Sequence, residues 1–159
     1  MKEVRVGMAD YKVCTSPAVL STLGLGSCLG VALYDQGSDM CGLAHVMLPD
    51  STRMNSEVNR CKFADTCLLD MKKELIGKGA DPSRLAAKIA GGARMFSFIS
   101  DNSMLNIGDQ NIEAGLVSGT SQFWPVMWGK TTADQFILTA AVKCSESGQW
   151  EWENTAFKY

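Results

Sequence analysis

Apolar and polar positions along the chain change period several times, and each change marks an element. Residues 3–8 (EVRVGM) alternate charged and apolar side chains, the period of a half-buried strand, and Lys12 to Leu20 continues as a second extended segment around Pro17. Leu29 to Tyr34 and Cys41 to Leu48 are apolar runs rich in β-formers, separated by the turn cluster Asp35 to Asp39 (DQGSD), which predicts a hairpin. From Phe63 the period lengthens. Phe63, Cys67, Met71 and Leu75 recur every fourth residue with Ala64, Leu68 and Ile76 beside them, leaving Asp65, Asp70, Lys72, Lys73 and Glu74 largely outside. This predicts an amphipathic helix over 63–76 with a core face, stopped by Gly77 and Gly79. Asp81-Pro82-Ser83 begins a turn, Leu85 to Ala90 reads as a short strand entering Gly91-Gly92-Ala93, and Asn106 to Ala114 reads as the start of a helix. Asp50 to Asn59 is polar and reads as an exposed loop, either a rim to a site or an ordinary connection.

Composition bounds what this pattern builds. At 159 residues, 46% hydrophobic and 20% charged, the chain is expected to form one soluble domain over 1–159 with a full core. A net charge of -2 with no basic cluster argues against nucleic acid as a partner. Residues 1–7 (MKEVRVG) lack the apolar centre of a signal peptide, and no run is long enough to span a membrane, so a cytoplasmic location is expected without membrane insertion. The six cysteines (14, 28, 41, 61, 67 and 144) include no CxxC pair and are expected to be reduced thiols.

The candidate chemistry gathers between Thr22 and Pro49. Cys28 lies in a glycine-rich turn with Gly24, Gly26 and Gly30, and the chain's single histidine, His45, lies on the second strand of the predicted hairpin. Folding back near Gly37 or Ser38 brings His45 opposite roughly Val31, with Cys28 three residues further along, roughly 10 Å away at strand rise. A free thiol is mostly protonated at neutral pH, so a cysteine nucleophile needs a neighbouring base, and His45 is the one imidazole present. Backbone amides around Gly26, Ser27 and Cys28 are natural oxyanion donors, because the glycines let a substrate carbonyl approach. Thr22 can accept from the second ring nitrogen and fix the tautomer. Against this stand a buried cysteine and a satisfied core histidine without chemistry.

Other motif readings fail on context. The spacing of Gly24, Gly26 and Gly30 loosely suggests a dinucleotide loop, and GSCLG copies the nucleophile elbow of α/β-hydrolases, but strand-like residues follow where both need a helix. Cys28, Cys41 and His45 sketch a three-ligand zinc site that lacks a fourth ligand and a recognised spacing, so no metal is expected. The Gly91-Gly92-Ala93 run is read either as part of an active-site wall or as a structural turn, and Arg94 as a substrate anchor or an exposed arginine.

The residues TLGLGSC (22–28), the hairpin and GLAHVMLPDS (42–51), followed by KFADT (62–66), KIAGGARMF (88–96) and NIGDQNIEA (106–114), closely resemble the chemoreceptor glutamine deamidase family of bacterial chemotaxis, CheD. The resemblance covers about the first 115 residues. It implies an α/β fold, a layered sandwich of mixed β-sheet with packed helices. It also implies Cys28 as nucleophile, His45 as general base and Thr22 as the orienting residue, with substrate-binding residues unassigned. The implied reaction is hydrolysis of receptor glutamine to glutamate through a thioester, with glutamyl methylesterase activity as a side reaction and no cofactor. Implied partners are chemoreceptor cytoplasmic domains and a CheC-type phosphatase. A regulatory partner of that phosphatase without turnover is the alternative, followed by a structural zinc protein and a generic cysteine peptidase.

After residue 115 the family pattern stops. All four tryptophans (124, 128, 150 and 152) lie in the last 36 residues, a sharp break in composition. Our hypothesis is that 115–159 is translated out of frame. Reading from the third base of each codon, Phe123-Trp124 forces Leu, Trp124-Pro125 forces Ala, Met127-Trp128 forces Val and Trp128-Gly129 forces Gly. Permitted choices then read LAGDVGKNYGR, which resembles the family's C-terminal motif. Phe136 to Val142 still reads as a strand, Ser145 to Tyr159 as weakly specified, and the tail is expected to be poorly ordered. An uninterrupted coding sequence around Gly115 with unrelated codons overturns the hypothesis.

Overall fold

The structure is a computed structural model that describes residues 2–15, 17–35, 37–53, 59–92, 110–111, 126–130, 137–144 and 150–157. In chain order the strands are β1 (Lys2–Arg5), β2 (Asp10–Thr15), β3 (Ala18–Thr22), β4 (Leu29–Asp35) and β5 (Met40–Val46). Helix α1 (Ala64–Gly77) and β6 (Leu85–Gly91) follow, then β7 (Val126–Lys130), β8 (Ile137–Cys144) and β9 (Trp150–Phe157). They form a four-stranded sheet of order β1-β3-β8-β9 and a five-stranded sheet of order β2-β5-β4-β6-β7. Both are mixed, because β1 runs parallel to β3 and β6 parallel to β7 while the other pairs are antiparallel.

Alternation along β4 and β5 sends side chains to two different cores. Leu29, Val31 and Leu33 of β4 and Ala44 and Val46 of β5 pack with Cys67, Leu68, Met71 and Leu75 of α1. Ala32 of β4 and Cys41 and Leu43 of β5 face the other way, against Leu20 of β3 and Val6. The layers are therefore helix, five-stranded sheet and four-stranded sheet, the α/β sandwich of mixed β-sheet that the resemblance implies. Each large aliphatic side chain removed from water between layers contributes about 1.5–3 kcal/mol.

The predicted helix forms with its stripe buried, except that Ile76 is 37% exposed. It follows Leu75 by one residue, a rotation of about 100° that carries it off the buried face as the chain leaves the sheet. Gly79, at φ +111°, takes the chain out of the helix. Asp65 accepts hydrogen bonds from the Ser51 amide (3.0 Å) and hydroxyl (2.7 Å), which holds the beginning of the polar 50–59 loop against α1. Ser145 to Tyr159, read from sequence as weakly specified, contains β9, which pairs with β8 from Ile137↔Phe157 to Cys144↔Trp150. Ala93 and Arg94 lie outside the described residues, as does most of 106–114; Gln110 and Asn111 are helical. No helix among the described residues is long and apolar enough to cross a membrane.

Candidate active site

The hairpin sets the site, with its pivot between Gly37 and Ser38. Tyr34 pairs with Cys41 and Gly30 with His45, so His45 lies opposite Gly30 and not Val31 as the sequence reading placed it. The one-residue difference matters, because Val31 points to the helix side and Gly30 to the inter-sheet side with His45. On the β4 side the residue opposite His45 therefore carries no side chain, while on the β2 side it is Asp10. Cys28 precedes Gly30 by two positions and packs with Leu25, Ala90 and Met47. Continued one step beyond β4, the register sets Cys28 opposite Met47 and diagonal to His45, a placement for which a Cα separation of roughly 7–8 Å is usual.

Thr22, the last residue of β3, belongs to the opposing sheet. Its Oγ1 lies 2.7 Å from His45 Nδ1 and donates to the Val6 carbonyl at 2.8 Å. A hydroxyl has one proton, and a carbonyl can only accept. The proton on Thr22 is committed to Val6, so Nδ1 must carry its own and donate it to Thr22. The other ring nitrogen, Nε2, is left with a lone pair, buried and without a hydrogen-bond partner among the described residues.

Thr22 is 0% exposed, His45 1% and Cys28 9%. Burial drives the imidazole pKa down to about 4, disfavouring the cation. Burial also pushes the Cys28 thiol up from its ordinary value, opposed in part by a backbone N–H. At neutral pH the thiol and the imidazole are both neutral. A thiol and an imidazole in these states can pass a proton from sulfur to Nε2 as the sulfur attacks, with no buried ion pair maintained beforehand.

The loop that carries Cys28 is bound at both ends. Gly24 and Gly26 have φ of +67° and +50°, and the turn closes with the Cys28 amide donating to the Leu25 carbonyl at 2.6 Å. That amide is engaged, which leaves the Gly26 and Ser27 amides as the oxyanion candidates in this turn. On the far side the Gly92 amide donates to the Cys28 carbonyl at 2.9 Å, and Gly91, at φ +105°, brings its α-carbon against the same oxygen. The double glycine is thus a close backbone approach behind Cys28. Cys41, near the other end of β5 from His45, has its Sγ 3.8 Å from that of Cys14 on β2.

Three contributors were not assigned from sequence. They are the Val6 carbonyl, which fixes the Thr22 proton, the Gly92 amide, and Asn111, whose Nδ2 donates to the carbonyls of Ser27 and Met47 at 2.9 Å each. Asn111 lies in the NIGDQNIEA motif, which the sequence flagged without a role.

Comparison with known proteins agrees with this architecture. The family model described as CheD chemotactic sensory transduction matches residues 47–118, which takes in α1, β6 and Asn111. The chain is 52% identical over 111 residues to the probable chemoreceptor glutamine deamidase CheD of Lachnoclostridium phytofermentans, covering 70% of this chain and 69% of the relative. It is also 52% identical over 122 residues to the probable chemoreceptor glutamine deamidase CheD of Moorella thermoacetica, covering 76% and 72%. Against the chemoreceptor glutamine deamidase CheD of Halalkalibacterium halodurans the identity is 52% over 112 residues, covering 70% and 69%. With identity of this order over more than two thirds of each relative, the chain belongs to the CheD family.

Proposed function

We propose that the protein hydrolyses the side-chain amide of specific glutamines on chemoreceptors, giving glutamate and ammonia, with Cys28, His45 and Thr22 as its catalytic trio. The observation that carries the reading is the proton count at His45. Thr22 holds the ring in the tautomer that leaves Nε2 with a buried lone pair and no partner among the described residues, on the strand whose register runs beside the Cys28 turn.

In this mechanism the Cys28 thiol proton passes to Nε2 as Sγ attacks the glutamine carboxamide carbon. The tetrahedral oxyanion is met by the Gly26 and Ser27 amides. The imidazolium returns its proton to the departing nitrogen, ammonia leaves, and a thioester links the substrate to Cys28. Water, deprotonated by Nε2, cleaves the thioester and restores the thiol. A glutamyl methyl ester would pass through the same acyl-enzyme, which supports methylesterase activity as a side reaction. The site would act on cytoplasmic segments of the receptors, and a CheC-type phosphatase is the partner the family resemblance implies. We also propose that residues 115–159 derive from a shifted reading frame and contribute none of the trio.

The test is peptide mass spectrometry of a chemoreceptor cytoplasmic fragment incubated with the protein or with Cys28→Ala. Amide-to-acid mass gains at particular glutamines, absent with Cys28→Ala, are expected. Equal conversion by both proteins would sink the assignment. The same variant is expected to retain binding to a CheC-type partner, which separates binding from turnover.

A further inference from the structure

Asn111 stands apart from the other buried polar residues. It is 0% exposed, its Nδ2 makes two hydrogen bonds of 2.9 Å to main-chain carbonyls, and its Oδ1 is buried without a partner among the described residues. The amide cannot be turned over, since that would set Oδ1 against two carbonyl oxygens. The two acceptors are distant in sequence from Asn111, by 84 and 64 residues, and they belong to the two halves of the site. Ser27 O is part of the peptide that leads into Cys28. Met47 O is two residues past His45, where β5 ends and the chain is tied to Lys62 by the Met47 and Leu48 amides, at 3.0 and 2.9 Å.

We propose that Asn111 is a positioning residue for the deamidation, a two-donor clamp that fixes the nucleophile loop at Ser27 against the end of the strand that carries His45. The inference rests on the reading of Cys28 and His45 given above. Both protons of a single planar amide are used, one on each half, so the distance between the loop and the strand is set by one rigid group. Asparagine is the short side chain that supplies two donors from one atom; an ionised aspartate supplies none and leucine supplies none. Carrying an unmet buried acceptor costs stability of the order of 1–3 kcal/mol. A side chain chosen for packing alone would not carry it, and departures of this kind concentrate at functional sites. The clamp also accounts for how a turn containing two positive-φ glycines keeps a fixed place beside the hairpin. Those glycines allow the turn its shape but do not hold it against β5.

The experiment compares wild type with Asn111→Leu and Asn111→Asp, two near-isosteric variants without the paired donors. Deamidation of a receptor fragment gives kcat and KM, and the rate of Cys28 alkylation by iodoacetamide reads the nucleophile without substrate. The expected result is a fall in kcat of about 10²-fold in both variants with KM unchanged, since misplacement by about 1 Å costs that much, together with an altered alkylation rate. Folded variants with wild-type kcat and alkylation overturn the clamp. So does a loss of activity that scales with the unfolded fraction of every variant while the folded fraction is alkylated at the wild-type rate. Cys28→Ala in the same assay keeps the two claims apart. If it still deamidates, the reading of the site has failed. If it is inactive while the Asn111 variants are unimpaired, only the clamp has.

Discussion

The α-carbon of Gly91 rests against the carbonyl oxygen of Cys28, leaving no room for a β-carbon between them. At φ +105° the residue also occupies a backbone region that side chains avoid. Gly91→Ala is therefore expected to push the Cys28 turn off the end of β6. It should lower stability by about 1–3 kcal/mol and reduce kcat, read by urea denaturation and by the receptor-fragment assay. Full activity in Gly91→Ala would mean the turn has another place to sit.

Replacing Thr22 by valine keeps the shape and removes the hydroxyl. The Nδ1 proton of His45 then loses its acceptor and the tautomer is no longer fixed. The expected cost is about 10²-fold in kcat with little change in KM, and Thr22→Ser should recover most of it. A valine variant with wild-type kcat would remove Thr22 from the site.

Acid should reveal the buried histidine twice. Turnover needs a neutral imidazole, so the acid limb of kcat/KM should lie near the depressed pKa of about 4 and not near the ordinary 6.5. For stability, the unfolded chain binds a proton between these two values and the folded chain does not. Stability should therefore fall as pH is lowered from 6.5 toward 4, by about 3 kcal/mol in total, and then level off. Urea midpoints for wild type and His45→Gln across this range test it. The contribution should be missing from the variant.

At the other end of the hairpin, the Asp35 side chain is fully buried and accepts from one edge of the Arg84 guanidinium, Nε at 2.8 Å and Nη2 at 2.9 Å, together with the Gly37 and Asp81 amides. The guanidinium holds this carboxyl well below the usual carboxylate range. Arg84→Ala should cost about 2–3 kcal/mol at neutral pH by leaving a buried charge short of its partner. Because the folded-state pKa is depressed, that contribution is present above the unfolded value near 4 and is lost as pH falls below it. The gap between wild type and variant should accordingly close on acidification, as measured by thermal or urea unfolding.

Much of the local structure was legible because it rests on local chemistry. The hairpin, α1 and β6 announce themselves through side-chain period and through turn residues such as DQGSD and Gly77 to Gly79. The register of the hairpin was missed by one residue because a five-residue turn cluster permits more than one pivot. Which sheet stacks on which was not legible at all. Nothing in the period of β3 says that Thr22 will meet a ring on β5; the expectation of that pairing rests on the chemistry of a hydroxyl just upstream of the loop and on the family resemblance, not on periodicity. Asn111 was hidden for a related reason, since its two partners lie far away in the sequence and are main-chain atoms that leave no mark on it.

Thr22 has a second neighbour with a consequence of its own. Along β3 it pairs with Ala140 of β8, beyond the residues 47–118 that the family model matches. The hydroxyl that holds the imidazole therefore takes its position partly from a strand that carries none of the proposed trio. A change in how that strand seats should therefore reach the Thr22 hydroxyl and, through it, the tautomer of one ring. Since the chain has a single histidine, the nitrogen resonances of that ring form an uncrowded gauge of the tail, readable without substrate and before any assay of turnover.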